Sequence, residues 1–166
     1  MNRVSSTQKG LITGTLMVVC SLLAYQFRNT TGNNLQFAAY IIYGAGIVWT
    51  LNSFAKTQDT STRFIKYFTE GFKCFIVVSF LMVLFTIIFL KAHPEFREQM
   101  AAGYKAELEK QGNNTPQEIE KLVESGKSYF TVMHTSIAIF RYLVIGALVT
   151  VVSGFAVYQL KKNKMA

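Results

Sequence analysis

The sequence predicts an all-α, polytopic membrane protein: four transmembrane helices with an extracytoplasmic αα-hairpin between helices 3 and 4. Three observations carry this prediction. Hydrophobic residues make up 51% of the 166-residue chain and charged residues only 16%, well under the roughly 25% charge of soluble domains. The apolar residues fall into four runs of spanning length, and the mean hydropathy is positive at +0.27. A long, charged, helical stretch separates the third run from the fourth. No Pro/Gly/Ser-rich linker divides the chain, so one membrane domain is expected over residues 1–166.

The first run is GLITGTLMVVCSLLAYQF, Gly10 to Phe27. Basic residues precede it as in a signal peptide. No small-x-small cleavage site follows, however, and further spans do, so it reads as a retained transmembrane helix. The second run covers 35–55, the third 73–91 and the fourth 139–160. A bilayer core needs roughly 17–25 apolar residues per helix, and each run supplies about that number.

Lysine and arginine set the expected orientation. Arg3 and Lys9 precede the first span. Lys56, Arg63, Lys66 and Lys73 lie between the second and third, and Lys161, Lys162 and Lys164 follow the fourth. The first loop has only Arg28, and in the third loop seven acidic residues offset six basic ones. Both termini are therefore expected in the cytoplasm, with the hairpin on the far side. The net charge of +8 follows this topology, so no nucleic-acid partner is expected.

The stretch STRFIKYFTEGFK precedes the third span. Ser61 or Thr62 is suited to cap a helix. Phe64, Ile65, Phe68 and Phe72 would share one face, with Arg63, Lys66 and Glu70 elsewhere. Two readings stay open: a basic amphipathic helix in the inner interface that attracts anionic lipid, or a helical lead-in to the span.

Residues 94–130 read as a helical hairpin. Phe96, Met100, Tyr104 and Leu108 recur at helical spacing, Gly112 is a natural stop, and TPQE restarts the chain. In that tetrapeptide Thr115 caps, Pro116 takes the first helical position and Glu118 completes a capping box. Ile119, Leu122, Val123, Tyr129 and Phe130 continue an apolar stripe on the second arm. Both arms are expected to continue the flanking spans outward, with a bend at Pro94.

Taken together, GLITG, FTEGFK and PEFREQMAAGYKAELEKQG…TPQEIEKL, before a last span ending in lysines, resemble a bacterial family of four-span membrane proteins, domain-of-unknown-function family 4199. The resemblance covers nearly the whole chain. It implies an inner-membrane protein of a Gram-negative bacterium, with no catalytic residues to carry over. It also implies a genomic neighbourhood of lipid-linked-sugar enzymes such as polyprenyl-phosphate glycosyltransferases.

The candidate chemistry is sparse. The four spans contain no Asp or Glu, which disfavours a proton-coupled exchanger, because such carriers need a titratable group at membrane depth. Arg141 lies about 20 residues from Lys161 and is placed at the outer interface, where it snorkels or contacts a phosphate or lipid head group. Arg63, Lys66 and Lys73 are the corresponding head-group candidates on the inner side. His93, His134 and Glu95 fit no known metal spacing, so no metal and no cofactor is expected. Cys20 and Cys74 should differ in depth by roughly 10–15 Å, too far for a disulfide. The span glycines, Gly10 and Gly14 of a GxxxG among them, serve close helix packing within the chain or between copies in a homo-oligomer.

The chain is expected not to be an enzyme. The leading reading is a scaffold or accessory subunit that binds membrane lipids and another membrane or envelope protein. Its partner surface would be Phe96, Met100, Tyr104, Leu108, Ile119, Leu122 and Val123. The alternatives are a lipid-phosphate binder, or accessory to a polyprenyl-phosphate glycosyltransferase, and a small transporter or channel.

Overall fold

The computed structural model describes residues 4–27, 34–58 and 62–163, with side chains from residue 37 onward in the second segment. Arg3, Arg28, Ser61 and Lys164 lie outside the described residues. The elements are α1 (Ser6–Gln26), α2 (Asn34–Ala55), α3 (Phe64–Ala92), α4 (Glu95–Gln111) and α5 (Pro116–Asn163). No strand occurs among the described residues. Four of these helices, α1, α2, α3 and α5, are long and apolar enough to cross a membrane.

The stretch before the third span is a helical lead-in to it, because α3 runs unbroken from Phe64 to Ala92. No proline or unpaired turn interrupts it, so each backbone N–H finds the carbonyl four residues back. Within α3, Tyr67, Gly71 and Cys74 are buried, while Ile65 is 60% exposed. The 48 residues of α5 join the second hairpin arm and the fourth span into one helix, the outward continuation expected of that arm.

The chain forms two compact units, Met1–Met82 with Phe140–Ala166, and Val83–Ile139. The second is wider than the hairpin expected at 94–130, because it takes in the last turns of α3 and the middle of α5.

The first unit is a bundle of α1, α2 and the adjoining parts of α3 and α5. Lipid tails are as apolar as leucine, so helices associate through close packing and internal hydrogen bonds. Glycines provide the closest approaches. A Cβ on Gly10 would stand 2.8 Å from the Cys74 carbonyl oxygen, so α1 and α3 lie nearly backbone to backbone there. Gly46 of α2 faces the Thr13 side chain, Gly71 of α3 faces Thr150, and Gly146 of α5 faces Tyr43 and Phe75. Gly44 has no atom within 4 Å of its Cβ position. Intrachain packing therefore uses all but one of these glycines.

Tyr43 is the polar centre of the bundle. It is fully buried. Its hydroxyl donates to the Tyr142 carbonyl at 3.0 Å and lies 3.2 Å from the Ser79 hydroxyl, which links α2, α3 and α5. The space beside Gly146 is what admits this ring. Cys20 and Cys74 are both free, as their expected difference in depth required. Outward-facing Leu11, Leu16, Leu23, Ile41, Phe80 and Val152 are exposed. In a bundle that spans a bilayer, such residues face acyl chains.

The second unit carries the hairpin. Pro94 has no N–H to donate and sits at the N-cap of α4, after α3 ends at Ala92. Gly112 ends α4 in the left-handed conformation, φ 66°, which a Cβ would strain. The capping box then starts α5: Thr115 N–H donates to the Glu118 carboxylate at 2.7 Å, and Glu118 N–H donates to the Thr115 hydroxyl at 3.4 Å.

These contacts set a paired expectation. Gly10→Ala forces α1 and α3 apart and should cost about 1–3 kcal/mol, as overpacking typically does. Gly44→Ala enters open space and should be neutral, or stabilising by up to about 1 kcal/mol through helix propensity. Unfolding in bicelles measures both; equal losses for the two variants would contradict the packing described.

Candidate functional site

The start of α1, the end of α2, the start of α3 and the end of α5 bring lysines of the first unit to one end of the bundle. Local sequence builds this end. Ser5 caps α1 and forms a capping box with Gln8: its hydroxyl accepts from Gln8 N–H at 3.2 Å, and its own N–H donates to the Gln8 side chain at 2.8 Å. Ser6 then faces α3 and donates to the Glu70 carboxylate at 2.5 Å. Lys73, one turn further along α3, donates to the same carboxylate at 2.7 Å. Glu70, the acid of FTEGFK, is thus held between a hydroxyl and an ammonium.

One turn beyond Ser6, Lys9 packs over the Trp49 ring, 5.5 Å from its centroid. A cation over an indole face is attracted by the ring quadrupole. On the α5 side, the Lys161 ammonium donates to the Ala55 carbonyl at 2.6 Å and also to the Gln58 carbonyl. It thereby satisfies carbonyls that the end of α2 leaves without helical partners. An aromatic cluster underlies these charges: Tyr67 meets Phe54 edge-on at 5.2 Å and Tyr158 at 6.0 Å, and Phe64 meets Phe155 at 6.2 Å. A cleft of about 620 Å³ opens at this end among α1, α2 and α3.

Of the inner head-group candidates, Lys73 pairs with Glu70, while Arg63 and Lys66 are exposed at the start of α3. Arg141 stands at the opposite end of the first unit. Its guanidinium donates to the Tyr40 hydroxyl at 3.1 Å, and the Tyr40 and Tyr142 rings lie 6.2 Å apart. The four candidates thus divide between the two ends of the bundle. Sequence reasoning missed Lys9, Trp49 and Glu70 as a group. The available signal was a lysine directly before the first apolar run, together with the chain's single tryptophan in the second.

On the hairpin, the expected partner surface is largely used by the hairpin itself. Leu108 and Ile119 are buried, with Ala101 and Phe130. Phe96, Met100 and Val123 are half-buried. Tyr104 and Leu122 remain exposed, at 39% and 40%, and Tyr129 is exposed at 69%. Lys127 donates to the Glu98 carboxylate at 2.5 Å, which ties the two arms. His93 pairs with Glu95 at 2.6 Å, and the His134 ring stacks on Phe130 at 4.3 Å. Among the described residues no three His, Cys, Asp or Glu side chains converge.

Comparison with known families matches residues 8–158 to a family described as proteins of unknown function (DUF4199). The chain belongs to this family. The match runs from the second residue after the α1 start to the last turns of α5, so the DUF4199 unit takes in both the bundle and the hairpin. No curated protein and no solved structure matches the chain.

The hairpin carboxylates set a pH expectation. The Thr115 N–H, then its hydroxyl, hold the Glu118 carboxyl below the ordinary carboxylate range. The Lys127 hydrogen bond does the same for Glu98. Groups whose folded pKa is depressed stabilise the fold above the ordinary carboxylate pKa and lose that contribution as pH falls through the folded value. Protection of the α5 first-turn amides, corrected for intrinsic exchange, should therefore fall between about pH 5 and pH 3. Glu118→Gln should remove most of that pH dependence, and an unchanged profile in the variant would contradict the role given to the box.

Proposed function

We propose that the chain is a non-catalytic accessory subunit of a bacterial cytoplasmic membrane. Its lysine-rich end and both termini would lie in the cytoplasm, and its hairpin on the other side, where it would hold another envelope protein. The observation that supports this reading is how the bundle uses its polar groups. Tyr43 ties three helices, Lys161 closes the end of α2, Ser6 and Lys73 hold Glu70, and Arg141 holds Tyr40. Apart from Lys73, which pairs within α3, these groups join helix to helix, as an anchor requires. The hairpin meanwhile is a compact unit with its own cap, stop, core and cross-arm ion pair.

The residues left for a partner are Tyr104, Leu122 and Tyr129, apolar or aromatic side chains exposed among charged neighbours. Buried aromatic anchors ringed by polar residues carry most of the affinity in protein interfaces.

Extraction of the tagged full-length chain from native membranes in polymer discs tests this reading. An envelope protein should co-purify in fixed stoichiometry, and Leu122→Glu with Tyr129→Glu should release it while thermal stability stays unchanged. A chain that elutes alone, or a partner retained by the double variant, would overturn the proposal.

A further inference from the structure

Lys9 is a buried lysine at the lysine-rich end, packed over Trp49. The residue is only 8% exposed, yet its ammonium donates no hydrogen bond among the described residues. A buried ammonium without an acceptor is costly, and the Trp49 face compensates only in part. Its surroundings point to what would complete it. Lys9 lines the 620 Å³ cleft together with Lys56, Ser5, Trp49 and Glu70.

Glu70 already accepts from Ser6 and Lys73. Glu70 also acts on Lys9 electrostatically, but with Lys73 set against the same carboxylate the cleft keeps a net positive charge from Lys9 and Lys56. Ser5 adds a hydroxyl whose oxygen accepts from Gln8 N–H, so its proton is free to donate inward. The apolar side of the cleft is open as well: Val4 and Trp49 are 43% and 44% exposed. Two ammonium groups and a hydroxyl beside an exposed indole match an amphiphile with a phosphate head and acyl tails. Tryptophan favours that depth in a bilayer, and basic pockets between helices bind anionic head groups.

We infer that the cleft of Lys9, Lys56, Ser5 and Trp49 is a binding site for the phosphate head group of an anionic phospholipid in the leaflet at the lysine-rich end. The inference requires that the bundle span a bilayer, and it stands apart from the accessory role of the hairpin. Loss of a protein partner would leave it intact.

Trp49 is the only tryptophan in the chain, so it reports on the cleft directly. The full-length protein is placed in nanodiscs of phosphatidylcholine with increasing phosphatidylglycerol, and Trp49 emission is followed. The expected result is a saturable shift. Lys9→Gln and, separately, the exposed-site variant Lys56→Gln should each require about fivefold more phosphatidylglycerol for half the shift, the worth of roughly one basic residue at a membrane surface. Lys66→Gln, at the same end but outside the cleft, should change little.

Native mass spectrometry should find phosphatidylglycerol retained by the wild type and lost from Lys56→Gln. This second measurement stands even where Lys9→Gln fails to fold. Equal effects of Lys56→Gln and Lys66→Gln would mean a diffuse surface potential and overturn the site. An equal shift with inorganic phosphate in phosphatidylcholine discs would overturn the lipid as its source.

Discussion

A bilayer core offers no hydrogen-bond partner, so every polar group placed in it must find one inside the protein. The bundle follows from that constraint. Its backbone is wholly helical through the spans, and the buried hydroxyls of Tyr43, Ser79 and Thr50 turn to carbonyls or to each other, whereas the buried Thr150 hydroxyl has no such partner among the described residues. Thr50 donates to the Gly46 carbonyl at 2.9 Å, and Tyr43 reaches α5 through the gap beside Gly146. Glycines matter for the same reason. Burial of apolar surface does little between helices already in lipid, so contact has to be close, and Gly10, Gly46, Gly71 and Gly146 are where it is closest.

The constraint also sorts the charges. Lys9, Lys56, Lys73 and Lys161 gather at one end, where Lys56 and Lys73 are exposed. Glu70 is tolerated because Ser6 and Lys73 neutralise it locally. Beyond the spans the rules reverse. The hairpin is stabilised by aqueous devices, a capping box, a glycine stop and the Lys127–Glu98 pair, and its acidic and basic residues nearly balance. Surface ion pairs of this kind contribute little each, so the shared apolar face of Leu108, Ile119 and Phe130 carries most of the hairpin's cohesion.

Much of this could be read from the sequence, where the rules are local. The spans showed in hydropathy, the hairpin in Gly112 and TPQE, and the free cysteines in their difference in depth. Contacts distant in sequence could not be read. Tyr43 gains its role only once α2, α3 and α5 meet, and nothing in the apolar run around it marks that meeting. The group of Lys9, Trp49 and Glu70 draws on three helices. The buried side of α3 was not legible either: aromatic residues occur on both of its faces, so the shared face of Phe64, Ile65, Phe68 and Phe72 does not mark it. The Ser5–Gln8 box was present in the required spacing, but it sits beside the first span and reads as mere flank.

The proposed orientation places the lysines of a membrane-spanning bundle in the cytoplasm and its hairpin outside. Thiol accessibility tests it most directly. In a background lacking Cys20 and Cys74, a single cysteine replaces Lys105 on the hairpin or Lys162 at the end of α5. Intact cells with a permeable outer membrane are then treated with a thiol reagent that cannot cross the inner membrane. The account predicts labelling at position 105 in intact cells, and at 162 only after the inner membrane is opened. Labelling at 162 but not at 105 in intact cells would contradict it.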